Sequence, residues 1–350
     1  MPERGKRFDQ FSALAHEQVS LFTRESIRAK PSMTFDTGLL RERLENGNHR
    51  ITAIDIGGSK ITSAVFTINQ DSSANTDEVT LQSRNGEGYL NFLQEVGQKS
   101  DKQSMPVGIS VGAVIEGTKL IRTSHMPTLL KDLEQFDGDF SRVIPSLKTV
   151  VNDSVSGTIG SLMETRRQYP NTKRIIYLTN GSGLGAAVLT NDMIWSMEPG
   201  HIETLPELNP YGAKTTCVFT NTETSCLHAV TSGIGIENIY LQQTQEKVDG
   251  EELARRLSHG DKLAEKLYKN SAMLTAITIK GIASAFDMFA NPSETTIVCH
   301  GGTFNVDEYR ESVSQFLKSG LQFDPQVLFT KDLKNPCLEG AALAALTSEP

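Results

Sequence analysis

Five short segments of this 350-residue chain gather residues that could do chemistry. The first is Asp55-Ile56-Gly57-Gly58-Ser59-Lys60. Its glycines let backbone N–H groups approach an anion with no Cβ in the way. Asp55 can hold a metal ion or a metal-bound water. The same residues also fit an ordinary hairpin turn, and they are not a P-loop, because the GxxxxGK[ST] spacing is absent. The second is Thr179-Asn180-Gly181-Ser182-Gly183-Leu184-Gly185. Spaced glycines between two strands suit phosphate contact through backbone amides, and equally suit a plain flexible loop. A strand follows rather than a helix, so the dinucleotide fingerprint does not apply.

The third segment is Asn152-Asp153, at the end of a buried strand. A carboxylate there can take a proton from a substrate hydroxyl, a contribution of roughly 10²–10⁴-fold. Asp153 can also cap the helix that begins at Ser154, and local sequence favours the cap. The fourth is Glu198-Pro199-Gly200-His201, with Cys217, Cys226 and His228 downstream. One His and two Cys offer part of a zinc site. The Cys-x8-Cys spacing is no standard knuckle, and buried free thiols are the simpler reading. The fifth is His300-Gly301-Gly302-Thr303, where a glycine pair lets a flat base or ribose lie against the backbone. Trp195, the only tryptophan, reads as packing.

These segments need elements to hold them. Strands are expected at Ile51–Ile56, Ile61–Phe66, Val79–Gln82, Val107–Val111 and Thr149–Asn152. Further strands are expected at Arg174–Leu178, Ala186–Leu189, Thr295–Cys299 and 327–330. Helices are expected at Gly88–Gln98, Ser154–Glu164, through most of 235–289, at 306–320 and at 337–346. Residues 196–226 read as irregular, a long stretch for an ordered domain. Before Ile51 a partial helical stripe runs through Phe8, Phe11, Leu14, Val19 and Phe22, and a second helix is expected at Met33–Leu44. A strand, a glycine turn and a second strand occur at 51–66 and again at 174–189. That repetition suggests duplicated halves with a cleft.

Composition narrows the function classes. With 34 basic and 42 acidic residues, the net charge of −8 argues against a general nucleic-acid binder. No apolar run is long enough to span a membrane. Four cysteines, Cys217, Cys226, Cys299 and Cys337, are too sparse for a disulfide framework. The first residues carry no leader-like apolar run. A reducing, cytoplasmic setting is expected.

Together, the order and spacing of these motifs resemble the ROK family of bacterial sugar kinases and sugar-responsive repressors, within the actin-like ATPase and sugar-kinase superfamily. Ala53–Lys60 is similar to the family's first phosphate motif, and Thr179–Gly185 to its second. Val107–Gly112 is similar to the strand between them, with Gly112-Ala113 where Pro-Gly or Gly-Gly is usual. Val151-Asn152-Asp153 is similar to the sugar-binding strand, Glu198–His201 to the family's Glu-x-Gly-His, and Val298–Thr303 to its adenosine-contacting motif.

The resemblance implies an α/β fold with two actin-like, ribonuclease H-like domains flanking a nucleotide and sugar cleft. It places a smaller domain at 50–150 and a larger one at 151–336, with helix 337–347 packing back on the smaller. Residues 1–49 are then an appended helical arm or tail. It implies ATP-dependent phosphorylation of a hexose or N-acylhexosamine. Asp153 becomes the base, and Asn152, Glu198, His201 and His228 become sugar ligands. Asp55, acting through Mg²⁺, joins Gly57, Gly58, Ser59, Lys60, Thr179, Gly181, Ser182, Gly183, Gly301 and Gly302 around ATP. His201, Cys217 and Cys226 become zinc ligands. Two departures stand out: Phe219 occupies the place of the knuckle's middle cysteine, and His228 replaces a sugar-binding Glu. A sugar is the implied partner, with a homodimer as the common family assembly. The alternatives are a non-catalytic sugar-sensing regulator and a degenerate nucleotide-binding scaffold.

Overall fold

Residues 51–56, Ile-Thr-Ala-Ile-Asp-Ile, are rich in β-branched side chains and contain no breaker. Such a run suits a strand covered on both faces. In the computed structural model these residues form a central strand. The structure describes residues 12–57, 60–70, 74–83, 88–123, 126–217, 219–289, 292–329 and 335–348.

The chain enters through helix α1 (12–20), strand β1 (Lys30–Thr34) and helix α2 (Thr37–Glu45). Strands β2 (His49–Ile56), β3 (Lys60–Ile68) and β4 (Ala74–Ser83) follow, then helix α3 (Tyr89–Lys102). Next are β5 (Val107–Val111), β6 (Val114–Glu116), β7 (Lys119–Arg122), α4 (Pro127–Glu134), β8 (Leu147–Asn152) and α5 (Asp153–Gln168). The second half begins with β9 (Arg174–Asn180), β10 (Leu184–Thr190), β11 (Met193–Met197) and the two-residue strands β12 (Thr215–Thr216) and β13 (Glu223–Thr224). Helices α6 (Leu227–Thr231), α7 (Gly233–Thr244), α8 (Gly250–Ser258) and α9 (Lys262–Ala285) come next. Strand β14 (Thr295–His300), helix α10 (Asp307–Gln315), strand β15 (Gln326–Phe329) and helix α11 (Pro336–Thr347) complete the order.

The carboxylate unit takes the described residues of Ser32–Gln168, Leu189–Ile194 and Leu333–Pro350. Its sheet runs β4-β3-β2-β5-β8. β2 is antiparallel to β3 and parallel to β5, which is parallel to β8. The carboxyl ends of β2, β5 and β8 therefore share one edge, the place where open α/β sheets bind ligands. Ile54, Ile56, Ile109 and Val111 pack with Leu129, Leu133 and Phe140 in its core. Helix α5 follows β8 directly and stays in this unit, beyond the boundary expected at residue 150. Helix α11 packs on α5, β2 and β5. The two helices meet backbone to backbone. A Cβ on Gly160 would come within 2.0 Å of the Pro336 carbonyl oxygen, and one on Gly340 within 1.7 Å of the Ser156 carbonyl oxygen. Only glycine fits that approach.

The glycine unit takes the described residues of Met1–Pro31, Tyr169–Val188 and Trp195–Asp332. It is built on the sheet β1-β11-β10-β9-β14-β15, with β14 parallel to both β9 and β15. With the edge strand β1 and the separate pairs β6–β7 and β12–β13 set aside, both sheets run third, second, first, fourth, fifth in chain order. This is the duplication suggested by the repeated strand, turn and strand. The core joins Ile176, Leu178, Val188, Ile277 and Ile297 to Ala15, Phe22 and Ile27. Residues 12–31 are thus part of this core.

Some expectations need correction. The helix expected at Met33–Leu44 is strand β1 followed by α2. The Asp36 carboxylate accepts from the Gly38 and Leu39 N–H groups and starts α2 there, because a capping side chain sets where a helix begins. Phe8 and Phe11 lie outside the described residues. Elements β6, β7 and α4 occupy the connection that carried few sequence signals. Among the described residues no helix is long and apolar enough to cross a membrane.

Candidate active site

The carboxylate unit gathers its polar groups at the shared strand edge. Asp55 lies in β2 and pairs in register with Ser110 of β5. The Ser110 hydroxyl donates to Asp55 Oδ1 at 2.8 Å. Asn152 ends β8 and Asp153 opens α5. The Ser154 N–H donates to Asn152 Oδ1 at 2.9 Å and to Asp153 Oδ1 at 2.8 Å. The Asn152 amide donates in turn to the Ala113 carbonyl at 3.2 Å. Asp153 therefore caps its helix through one oxygen and keeps the other, Oδ2, free of that role.

The electrostatics of this edge favour proton uptake. Asp55 and Asp153 are half-buried by exposed surface, yet loss of hydration dominates both. Burial pushes Asp55 up to about 6; the neighbouring Asp153 charge pushes the same way, while Ser110 and Lys60 pull it down. Burial also raises Asp153, against the hydrogen bonds from Ser154. A carboxyl whose charge is disfavoured by burial takes up a proton more readily than an exposed one, as a general base must. The Gly57 N–H donates to the Lys60 carbonyl at 2.9 Å, closing the turn, and Lys60 is exposed. Gly58 and Ser59 lie outside the described residues.

The glycine unit presents backbone at the equivalent edge. Thr179 pairs with His300 at the carboxyl ends of the parallel strands β9 and β14. The Gly181 N–H donates to the Gly183 carbonyl at 3.0 Å, and the Gly233 N–H to the Gly181 carbonyl at 2.7 Å. Thr179, Gly181, Ser182 and Gly183 are half-buried. Gly301 adopts φ +112°, and a Cβ there would come within 2.3 Å of the Asn180 carbonyl oxygen. The Thr303 hydroxyl donates to that same oxygen. Gly302 begins the turn that contains Thr303.

Beneath these loops sits a buried polar hub that sequence reasoning missed. The Asn180 amide donates to the Tyr309 hydroxyl at 2.9 Å and to the Thr231 carbonyl at 3.1 Å. Ser271 also donates to the Thr231 carbonyl, at 2.8 Å. With its proton committed, Ser271 accepts from Tyr309 at 3.2 Å, and Thr275 donates to Tyr309 at 2.8 Å. Burial pushes the Tyr309 phenol up to about 12, so it stays neutral. Only the hydrophobic spacing of α9 and α10 hinted at this packing. Ser110 was likewise invisible, because its link to Asp55 depends on strand register.

The fourth segment is brought together only in part. His201 and Cys217 meet, with Sγ 3.4 Å from Nδ1. The His201 and His228 rings stack at 6.0 Å between centroids. Phe219 places its ring edge-on to His201 at 4.8 Å, and the Arg28 guanidinium lies 4.1 Å over Phe219. Cys226 is a buried free thiol, as are Cys217, Cys299 and Cys337. Among the described residues no group of three His, Cys, Asp or Glu side chains is arranged to hold a metal. Zinc needs three or four such donors, so His201, Cys217 and Cys226 do not fit the ion. Trp195 packs edge-on against Phe286 at 5.8 Å, as expected of a core aromatic. Glu198 is half-buried at the head of this segment.

The N-acetyl-D-glucosamine kinase of Histophilus somni is 26% identical over 301 residues, covering 80% of this chain and 92% of that relative. The enzyme of the same name from Haemophilus influenzae is 26% identical over 317 residues, covering 84% and 98%. The crystal structure of the ROK hexokinase from Thermus thermophilus covers 85% of this chain and 98% of its own, at 20% identity and a TM-score of 0.61. The model of the ROK family matches residues 51–347. With that match over most of its length, the chain belongs to the ROK family.

Proposed function

We propose that this protein transfers the γ-phosphoryl group of ATP to a hydroxyl of a hexose or N-acylhexosamine. The observation that carries the reading is Asp153, a carboxyl with a raised pKa at the carboxyl end of β8 beside Asp55. Relatives named as N-acetyl-D-glucosamine kinases support the substrate class.

In this reading Asp153 accepts the proton of the sugar hydroxyl as that oxygen attacks phosphorus. Asn152, Glu198, His201 and His228 bind and orient the sugar. The amides around Gly57 and those of Ser182 and Gly183 hold phosphate oxygens, and Gly301-Gly302 accept the adenosine. Asp55 is the oxygen donor that would hold Mg²⁺. One or two carboxylates plus the phosphates suffice for that ion, so the donors fit. Bound there, Mg²⁺ would neutralise charge on the transferring group. Phosphoryl transfer needs mainly positioning and charge neutralisation, so a sparse set of side chains is adequate.

The test is ADP release with Mg-ATP across a panel of hexoses and N-acetylhexosamines, with Asp153→Asn beside wild type. Asparagine is a good helix cap, so the variant keeps its fold. Sugar-dependent turnover that the variant loses is the expected outcome. A fully active Asp153→Asn protein overturns the assignment. ATP binding without turnover on any sugar favours the scaffold or sensor reading.

A further inference from the structure

Among the described residues between β11 and α6 there are two short 3-10 turns, Pro199–His201 and Pro206–Leu208, the pair β12–β13 and a single bridge between Glu203 and Cys226; the rest is irregular. Something must order it, because loops of this length rarely hold one conformation unaided. His201, Cys217 and Cys226, even with His228, are not gathered among the described residues as three donors to one zinc ion. The place of a thiolate is taken by Phe219, over whose ring the Arg28 guanidinium lies.

The ordering groups come from residues 12–28. Gln18 is fully buried. Its amide donates to the Glu203 carbonyl at 2.9 Å and accepts from the Leu205 N–H at 2.8 Å. One side chain thus satisfies two backbone groups, as a neighbouring strand would. A buried amide is tolerated only when both its ends are bonded, and here both are. The Glu198 N–H donates to the Ile27 carbonyl at 2.9 Å. Arg28 continues the contact by covering Phe219, which in turn abuts His201. The same arm is anchored at its other side. Phe22 packs so close to Gly281 that a Cβ there would fall 2.3 Å from its ring, and Arg24 donates to the Ala285 carbonyl at 3.1 Å. Arg24 also lies 4.6 Å over Phe286.

We propose that residues 12–28 replace zinc in this chain: Gln18 and Arg28 are positioning residues that hold the Glu198–His201 turn, with no metal in the knuckle. That the turn so held binds a sugar rests on the kinase reading above. The ordering role and the absence of zinc do not.

The test uses the full chain, purified after expression with zinc in the medium. Its zinc content is expected below about 0.1 per chain, since fewer than three aligned donors give no tight site. Hydrogen exchange then compares wild type with Gln18→Ala and Arg28→Gln. In Gln18→Ala the Glu198 and Leu205 amides should exchange about tenfold faster or more, while β9 and β14 stay unchanged. Arg28→Gln removes only an exposed cation, so it keeps the fold if Gln18→Ala does not; about threefold faster exchange over 198–205 is expected. Where the wild type turns over a sugar, Gln18→Ala should raise KM for the sugar about tenfold and leave KM for ATP and kcat nearly unchanged. One tightly held zinc per chain overturns the proposal. So does unaltered exchange over 198–205 in the folded variants, or an equal rise in both KM values. A wild type without sugar turnover defeats the kinase reading instead, and metal content and exchange still decide this one.

Discussion

The two sheets share one strand order, yet their ligand edges are built from opposite materials. At the edge of β2, β5 and β8 the polar groups are side chains: Asp55, Ser110, Asn152 and Asp153. At the edge of β9 and β14 they are mostly backbone, exposed by Gly181, Gly183, Gly301 and Gly302. A carboxylate can take a proton and hold a cation, whereas an amide can do neither but donates to a phosphate oxygen at fixed geometry. On the kinase reading, a duplicated scaffold divides labour by what it places at one edge. It also separates the expected failures. Changing the first edge should stop chemistry, and changing the second should weaken nucleotide binding.

The largest effect is expected from Asp153→Asn, which should lower kcat by about 10²–10⁴-fold with KM for ATP little changed. Equal losses in kcat and ATP affinity would dissolve the contrast between the edges. Next is Gly301→Ala. Its positive φ and the 2.3 Å approach to the Asn180 oxygen leave no room for a methyl group. Nucleotide affinity, read by calorimetry, should fall tenfold or more, on the order of 1.4 kcal/mol. Unchanged ATP binding would show that this edge does not touch nucleotide.

Tyr309→Phe tests whether the backbone edge depends on its buried support. Removing the hydroxyl leaves the Asn180 amide and Thr275 short of an acceptor and Ser271 short of a donor, at a cost of about 1–3 kcal/mol in chemical denaturation. KM for ATP should rise a few-fold while kcat holds. The smallest effect concerns Asp55. Its carboxyl titrates at about 6 when folded, above its ordinary 3.8. The folded state therefore holds this proton longer, and stability falls as pH rises from about 4 through 6. Above that range the charged carboxylate is a fixed penalty of about 1–2 kcal/mol, once discounted for partial exposure. Asp55→Asn should thus be the more stable protein at pH 7.5, by a few degrees in Tm, with the difference gone near pH 4. The acid limb of kcat/KM should lie above the ordinary carboxylate range in the wild type, because burial raises both carboxyls. A less stable Asp55→Asn at pH 7.5 would mean that Asp55 is held by partners rather than strained by burial.

Much of the scaffold was legible because it is local. Ile51–Ile56 and Arg174–Leu178 carry β-branched and aromatic side chains and lead into glycine-rich turns, at Gly57 and at Gly181, and such runs favour strands. The duplicated halves were legible because that pattern occurs twice, while the strand order came only with the fold. Asp55 and Asp153 could be singled out because each stands at a strand end. What stayed hidden depends on distance along the chain. Ser110 matters through register with Asp55, and Tyr309 through an amide 129 residues away. Gln18 reaches Glu203 and Leu205 across more than 180 residues, and nothing in its own neighbourhood marks it. Strand β1 overlaps the expected helix only at Met33 and Thr34; its Lys-Pro-Ser-Met-Thr lacks alternation, and edge pairing supplies what propensity does not.

The glycine contact between α5 and α11 has a consequence for synthesis. Sheet β4-β3-β2-β5-β8 and helix α5 are complete by residue 168, yet the helix that covers them is encoded from residue 336. A ribosome adding about 5–20 residues per second takes roughly 10–30 s to cross that interval. During that time the apolar surface meant for α11 is without its cover, and residues 12–28 likewise wait for partners not yet made. The nascent chain therefore offers two unfinished cores at once. Its burden on chaperones should be set by translation speed through 169–335 more than by the stability of the finished protein.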